Sequence, residues 1–170
     1  EIVETVRNYT AVHGIDVGVL VIDWKSYRCV GDWDFTLDRE VCWPDPQAMV
    51  SELKSMGVAE VMISLHPWAE SGSTSYAHMQ TNHLCLSYPN GSAFPWGGWG
   101  LPTTCCPEGN CLKLPNCLYD ASNPAAREFL WSKLKASYYD KGIRQFWTDG
   151  TEPAGAPDNV LPDDVVFHGG

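Results

Sequence analysis

Val17-Gly-Val-Leu-Val-Ile-Asp-Trp24 is a short, almost wholly apolar run rich in β-branched residues, and it ends on a charged side chain. Such a run predicts a strand buried on both faces, as in a parallel sheet. Two other stretches share the pattern. Glu60-Val-Met-Ile-Ser-Leu-His66 is closed by Pro67, and Ile143-Arg-Gln-Phe-Trp147 is followed two residues on by Asp149. Between and before them the apolar period changes to that of a helix. Ile2, Val3, Val6, Tyr9 and Val12 recur every three or four residues over 1–13, with Gly14 as a stop. Ala48, Met49, Leu53 and Met56 repeat that spacing up to Gly57, behind Trp43-Pro-Asp-Pro46, whose prolines suit a first helical turn. Asn123 is a natural N-cap with Pro124 at the first helical position, and Phe129, Leu130, Leu134 and Tyr138 supply an apolar face that ends at Gly142.

The order is helix, strand, helix, strand, long loop, helix, strand. Alternation of this kind implies βαβ crossovers and a parallel α/β sheet. Three strands cannot close a barrel, and an open sheet of three leaves apolar surface uncovered. The expectation is therefore a piece completed by further chain, as is the expectation that Glu1 does not begin a gene product. Residues 69–122 form one long excursion rich in Gly, Pro, Ser and Cys. A loop that long is unusual in a compact domain unless something orders it.

The cysteines supply a means. Of seven, five fall in or beside this excursion: Cys85, Cys105, Cys106, Cys111 and Cys117. The cluster lacks the C-x2-C knuckles of a zinc site and contains no His, so disulfides stapling the loop are expected. An odd count leaves one thiol free or paired outside the chain. The sequons Asn8-Tyr-Thr and Asn90-Gly-Ser are candidate glycosylation sites. With the cysteines they point to the secretory-pathway lumen or the extracellular space. The 170 residues carry 11 basic and 21 acidic side chains, a formal charge of −10, which argues against a nucleic-acid partner. No apolar run reaches the length of a membrane span. The five histidines are dispersed and the acids lack calcium-loop spacing, so no metal site is expected.

In parallel α/β folds, reactive groups gather at the carboxyl ends of the strands. Here the three predicted strands lead into Asp23, His66 and Asp149, with Trp24, Trp68 and Trp147 beside them. Any one such acid is as readily a turn or cap residue as a functional one. Three together, flanked by tryptophans, suggest a sugar site: rings stack on aromatic faces while carboxylates take the hydroxyls.

Val19-Leu-Val-Ile-Asp-Trp24, Trp33-Asp-Phe35, Trp43-Pro-Asp-Pro-Gln-Ala-Met49, Met62-Ile-Ser-Leu-His-Pro67, Tyr119-Asp-Ala-Ser-Asn-Pro-Ala-Ala-Arg-Glu128 and Gly142-Ile-Arg-Gln-Phe-Trp-Thr-Asp-Gly-Thr-Glu-Pro153 resemble, in this order, motifs of glycoside hydrolase family 31. The resemblance covers nearly the whole chain apart from the Cys-rich insert. It implies a partial (β/α)8 TIM barrel of about three parallel strands with their helices, and a retaining α-glycosidase acting on α-linked glucosides or xylosides without a cofactor. The catalytic nucleophile falls on Asp149. Asp23 falls on an acid that binds sugar hydroxyls, and Trp24, His66 and Trp147 fall on the same pocket. His66 stands where a Trp is expected, and Glu152 falls on a supporting position. The family's acid/base is an Asp on a later strand, for which Asp158, Asp163 and Asp164 are poor substitutes. The partners implied are an α-linked oligosaccharide or glycoside and the remainder of the barrel, and the isolated chain is expected to be inactive. Two other readings stand beside the hydrolase: a non-catalytic carbohydrate-binding or assembly module, and an α-glucan lyase.

Overall fold

A computed structural model describes residues 1–24, 26–36, 39–92, 94, 116–151 and 165–168. In chain order the elements are α1 (Ile2–Arg7), β1 (Val19–Ile22), α2 (Arg39–Cys42), α3 (Pro46–Ser55), β2 (Glu60–Leu65), β3 (Trp68–Ala69), α4 (Tyr76–Thr81), β4 (Cys117–Leu118), α5 (Pro124–Ser137) and β5 (Gln145–Thr148). Strands β1, β2 and β5 form one parallel sheet in that spatial order.

The register sorts the strand residues into two faces, because successive side chains alternate. Ile22 pairs with Ile63, which pairs with Phe146. Leu20, Val61 and Leu65 share their face and pack with Val50 and Leu53 of α3, Leu134 of α5 and Tyr138 at its end in the main core. The opposite face carries Val21, Met62 and Gln145 in one row and Ser64 and Trp147 in the next. This second face is open along both outer strands: Val19 is 54% exposed, Val21 41% and Trp147 43%. Burial on both faces, expected for 17–24, is met on the helical face alone within these residues. Helices cover one side only, and among the described residues no second layer lies on the other.

The helix ends follow the cap chemistry in the sequence. Asp45 Oδ1 accepts from the Ala48 N–H at 2.8 Å with Pro46 at the first helical position, and Asn123 Oδ1 accepts from the Ala125 N–H at 2.9 Å ahead of Pro124. The first helix departs from expectation. Its α-helical part stops at Arg7, and Asn8–Val12 widens into a π-helical turn. There the Thr10 hydroxyl donates back to the Val6 carbonyl at 3.0 Å, a competing contact that bends helices.

The described parts of the 69–122 excursion carry regular structure. β3 and β4 pair antiparallel, Trp68 with Leu118 and Ala69 with Cys117, and α4 lies between them in the chain. A Cys85–Cys117 disulfide ties the stretch after α4 to β4. Tyr27, Val30, Trp68, Leu86, Phe94 and Leu118 bury one another in a second, smaller core. Cys105, Cys106 and Cys111 lie outside the described residues. Cys29, which no spacing singled out, is also disulfide-bonded, and Cys42 is an exposed free thiol.

The loop after β1 is pressed against β3 at Gly31, whose φ is +98°. A methyl group there would sit 2.6 Å from both Cα and Cβ of Ala69, so neither the backbone angle nor the space admits a side chain. Gly31→Ala is expected to destabilise the protein by at least about 2 kcal/mol in urea unfolding. A loss below about 0.5 kcal/mol would show that the loop does not depend on this approach.

Candidate active site

The strand ends meet around His66. β2 finishes at Leu65, whose carbonyl accepts from the Asp149 N–H at 2.8 Å and so extends the β2–β5 ladder one step beyond the last strand pair. Alternation then puts Asp149 on the same face as Trp147, and His66 on that of Ser64 and Met62. Asp23, one residue past β1, continues the row of Val19 and Val21 on this open face. The predicted groups Asp23, His66, Trp147 and Asp149 therefore emerge on one face at one end of the sheet.

His66 is 3% exposed, and its Nε2 lies 3.8 Å from Asp149 Oδ2. On its other side Nδ1 is 2.9 Å from the hydroxyl of Tyr27, a fully buried residue from the second core. The ring makes edge contacts with Trp24 at 5.1 Å and Trp68 at 4.8 Å between centroids. Its main-chain carbonyl accepts from Trp33 Nε1 at 3.1 Å. Trp24 and Trp33 both hold left-handed backbone angles, φ +61° and +47°. Such angles are uncommon for bulky residues and cost energy unless the surroundings enforce them. At Trp24 the local support is visible: its N–H donates to Asp23 Oδ1 at 2.6 Å.

Burial pushes the His66 pKa down, against the nearby carboxylates Asp149 and Asp23, which raise it. The imidazole is therefore neutral, and its approach to Asp149 is that of a dipole rather than an ion pair. Burial, then Glu70, Asp149 and Asp23, push the Tyr27 hydroxyl well above its ordinary value, so it stays protonated. Asp149 is half-buried. Its Oδ1 accepts from the Gly150 N–H at 2.8 Å, while Oδ2 faces His66.

The contacts of Tyr27 and Trp68 with the imidazole, and of Trp33 with the His66 carbonyl, were not apparent from sequence. They lie in segments with no period; Tyr27 and Trp68 are placed by the second core and Trp33 by the main one. Glu152, Asp158, Asp163 and Asp164 lie outside the described residues. Asn8 is exposed on the π-helical turn. Asn90 is exposed in a turn, where its Oδ1 accepts from the N–H of its own sequon residue Ser92 at 2.9 Å. Among the described residues no helix is long and apolar enough to cross a membrane.

Residues 1–168 match the glycosyl hydrolases family 31 TIM-barrel domain, and the chain belongs to that family. It is 38% identical over 135 residues to alpha-xylosidase A of Aspergillus niger, covering 79% of this chain and 16% of that protein. It is 32% identical over 153 residues to an uncharacterized family 31 glucosidase, ORF2, of Pseudescherichia vulneris, covering 90% and 25%. Among solved structures it is similar to a xylosidase from Aspergillus niger (TM-score 0.68, 35% identity, 86% of this chain and 18% of that one). A family 31 alpha-xylosidase from a soil metagenome, complexed with xylose, also matches (TM-score 0.71, 27% identity, 98% and 22%). The chain thus spans a quarter or less of the length of these relatives, and the sheet it contains is part of a barrel rather than a closed one.

The depressed His66 pKa has a consequence for stability. Unfolding exposes an imidazole that binds a proton below about pH 6.5, whereas the native one resists it. Stability should therefore fall as pH drops through that value towards the lowered native pKa, by at most about 1.4 kcal/mol per pH unit for one proton. Subtracting the pH profile of His66→Phe from that of the parent isolates this slope, and parallel profiles would show that His66 is not held neutral.

Proposed function

We propose that this chain is the nucleophile-bearing part of a retaining α-glycosidase, with Asp149 as the catalytic nucleophile. The observation that carries the reading is the convergence of Asp149 and Asp23 on the open inner face, at the carboxyl ends of strands from a family 31 barrel. In the first half-reaction an Asp149 carboxylate oxygen bonds to the anomeric carbon as the bond to the leaving oxygen breaks, forming a glycosyl ester. The leaving oxygen takes its proton from a second carboxyl group, about 5–5.5 Å from the first in retaining enzymes. Water, deprotonated by that group, then cleaves the ester. The second carboxyl group comes from another part of the barrel, beyond the three strands described here.

Asp23 binds sugar hydroxyls as a hydrogen-bond acceptor, and the exposed faces of Trp24 and Trp147 bound the ring. Neutral sugars suit an acidic protein, which gains nothing from steering a charged substrate. The names of the xylosidase relatives favour an α-linked xyloside, with α-glucosides next. The Cys85–Cys117 disulfide supports an oxidising, secretory setting, in which Asn90 is the better exposed turn acceptor for a glycan. The remainder of the barrel is the partner that covers Val19, Val21 and Trp147. Without it, the 170-residue chain is expected to show no turnover.

In the full-length protein, Asp149→Asn should lower kcat on aryl α-xylosides and α-glucosides by more than about 10⁴-fold. A 5-fluoroglycosyl fluoride should label Asp149, as read by mass spectrometry of the peptide. Labelling of a different residue would overturn the assignment. Release of the free sugar rather than an unsaturated product distinguishes the hydrolase from a lyase.

A further inference from the structure

We propose that Tyr27 and His66 form a positioning pair for the Asp149 carboxylate, Tyr27 fixing the imidazole so that its Nε2–H faces Asp149 Oδ2. The proposal rests on Asp149 being the nucleophile, and it moves His66 from contact with the sugar to support of the reacting group. Exposure decides the first point. With 3% of its surface accessible and Trp24, Trp68 and Tyr27 around its ring, His66 has no face left for a hydroxyl.

The proton inventory decides the second. The Tyr27 hydroxyl carries one proton and has two acceptors in reach, the Trp24 carbonyl at 3.3 Å and His66 Nδ1 at 2.9 Å. Donation to Trp24 would leave Nδ1 as the protonated nitrogen and turn the bare Nε2 lone pair towards a carboxylate oxygen 3.8 Å away. Two electron-rich atoms facing each other in a partly dry site repel. Donation to Nδ1 puts the imidazole proton on Nε2, where it attracts the carboxylate. Both the shorter distance and the charges select this arrangement.

Asp149 is then held by two hydrogen bonds and approached by the imidazole at a third point. Its N–H is tied to the Leu65 carbonyl, Oδ1 accepts from the Gly150 N–H, and Oδ2 faces the imidazole. The first two are local to the strand end and fix where the residue sits. The third, a 3.8 Å approach longer than a hydrogen bond, orients the plane of the carboxylate by tightening when a sugar closes the site, as catalytic contacts do. An attacking oxygen turned away from the anomeric carbon loses much of the advantage of a bound nucleophile. Tyr27 reaches this group from the loop after β1, pinned in turn by Asp32, which accepts from Cys29 N–H, Thr74 N–H and the Thr74 hydroxyl.

The test uses the full-length protein and p-nitrophenyl α-xyloside or α-glucoside, whichever it turns over. Tyr27→Phe removes one oxygen and conserves the ring. It should lower kcat by about ten- to a hundredfold while KM changes by less than about twofold. The discriminating arm is the Asp149→Gly background rescued by azide, in which an azide nitrogen bonds to the anomeric carbon as the bond to p-nitrophenolate breaks, giving a β-glycosyl azide. There is then no carboxylate to orient, so adding Tyr27→Phe should leave the rescued rate within about twofold. His66→Gln, which keeps an N–H donor, should retain more activity than His66→Leu, and this comparison stands even if Tyr27→Phe folds poorly. Unchanged kcat in Tyr27→Phe, an equal loss in the azide-rescued background, or equal losses in the two His66 variants would each overturn the pair. Such results beside an inactive Asp149→Asn would leave the nucleophile assignment standing. Turnover by Asp149→Asn would remove both.

Discussion

Parallel pairing of β1, β2 and β5 is the constraint on which everything else here rests. Its hydrogen bonds align Ile22 with Ile63 and Ile63 with Phe146, and the pleat then leaves each neighbouring residue on the other side. A slip of one residue in any strand would turn Asp23, His66 or Asp149 into the helical layer and bring Ile22, Leu65 or Thr148 to the face of the candidate site. The slip is opposed by the apolar side chains buried against α3 and α5. Burying one Ile or Leu is worth about 1.5–3 kcal/mol, and several would be lost together. The packing of one face therefore positions the chemistry of the other.

The excursion between β2 and α5 does a different job. Its two ends fold into a second core with the loop after β1, and that core covers the carboxyl end of β2. Tyr27 and Trp68 belong to this core and also touch His66. A loop that a surface survey would class as an elaboration thus supplies one wall of the site. Left-handed angles at Trp24 and Trp33 show the cost of bringing these pieces together, about 1–3 kcal/mol each. The disulfide at Cys85–Cys117 and the buried carboxylate of Asp32 offset part of it.

Electrostatically the site is a contest between desolvation and charge. Asp149 and Asp23 both favour a protonated His66, and burial overrides them. A neutral imidazole beside a carboxylate orients that carboxylate without neutralising it, which an imidazolium would do. The same burial keeps Tyr27 protonated and able to donate.

The sequence by itself determined the three parallel strands, the caps at Asp45 and Asn123, the alternation that defines the sheet, and the family to which the chain belongs. These are short-range signals: apolar period, cap chemistry and motif order survive without knowledge of tertiary contacts. It also placed Asp23, His66 and Asp149 at strand ends, since alternation from a buried run needs only counting. Tertiary structure alone decided which face of β1 packs on the helices, because burial depends on which layer covers a face rather than on how apolar the strand is. It alone paired Cys85 with Cys117 and drew Cys29 into a disulfide, as connectivity is a matter of distance in space. Two-residue strands such as β3 and β4 have no period to read. For the same reason Tyr27, in a stretch without pattern and 39 residues from His66 in the chain, became part of the site only when a second core folded over the strand ends.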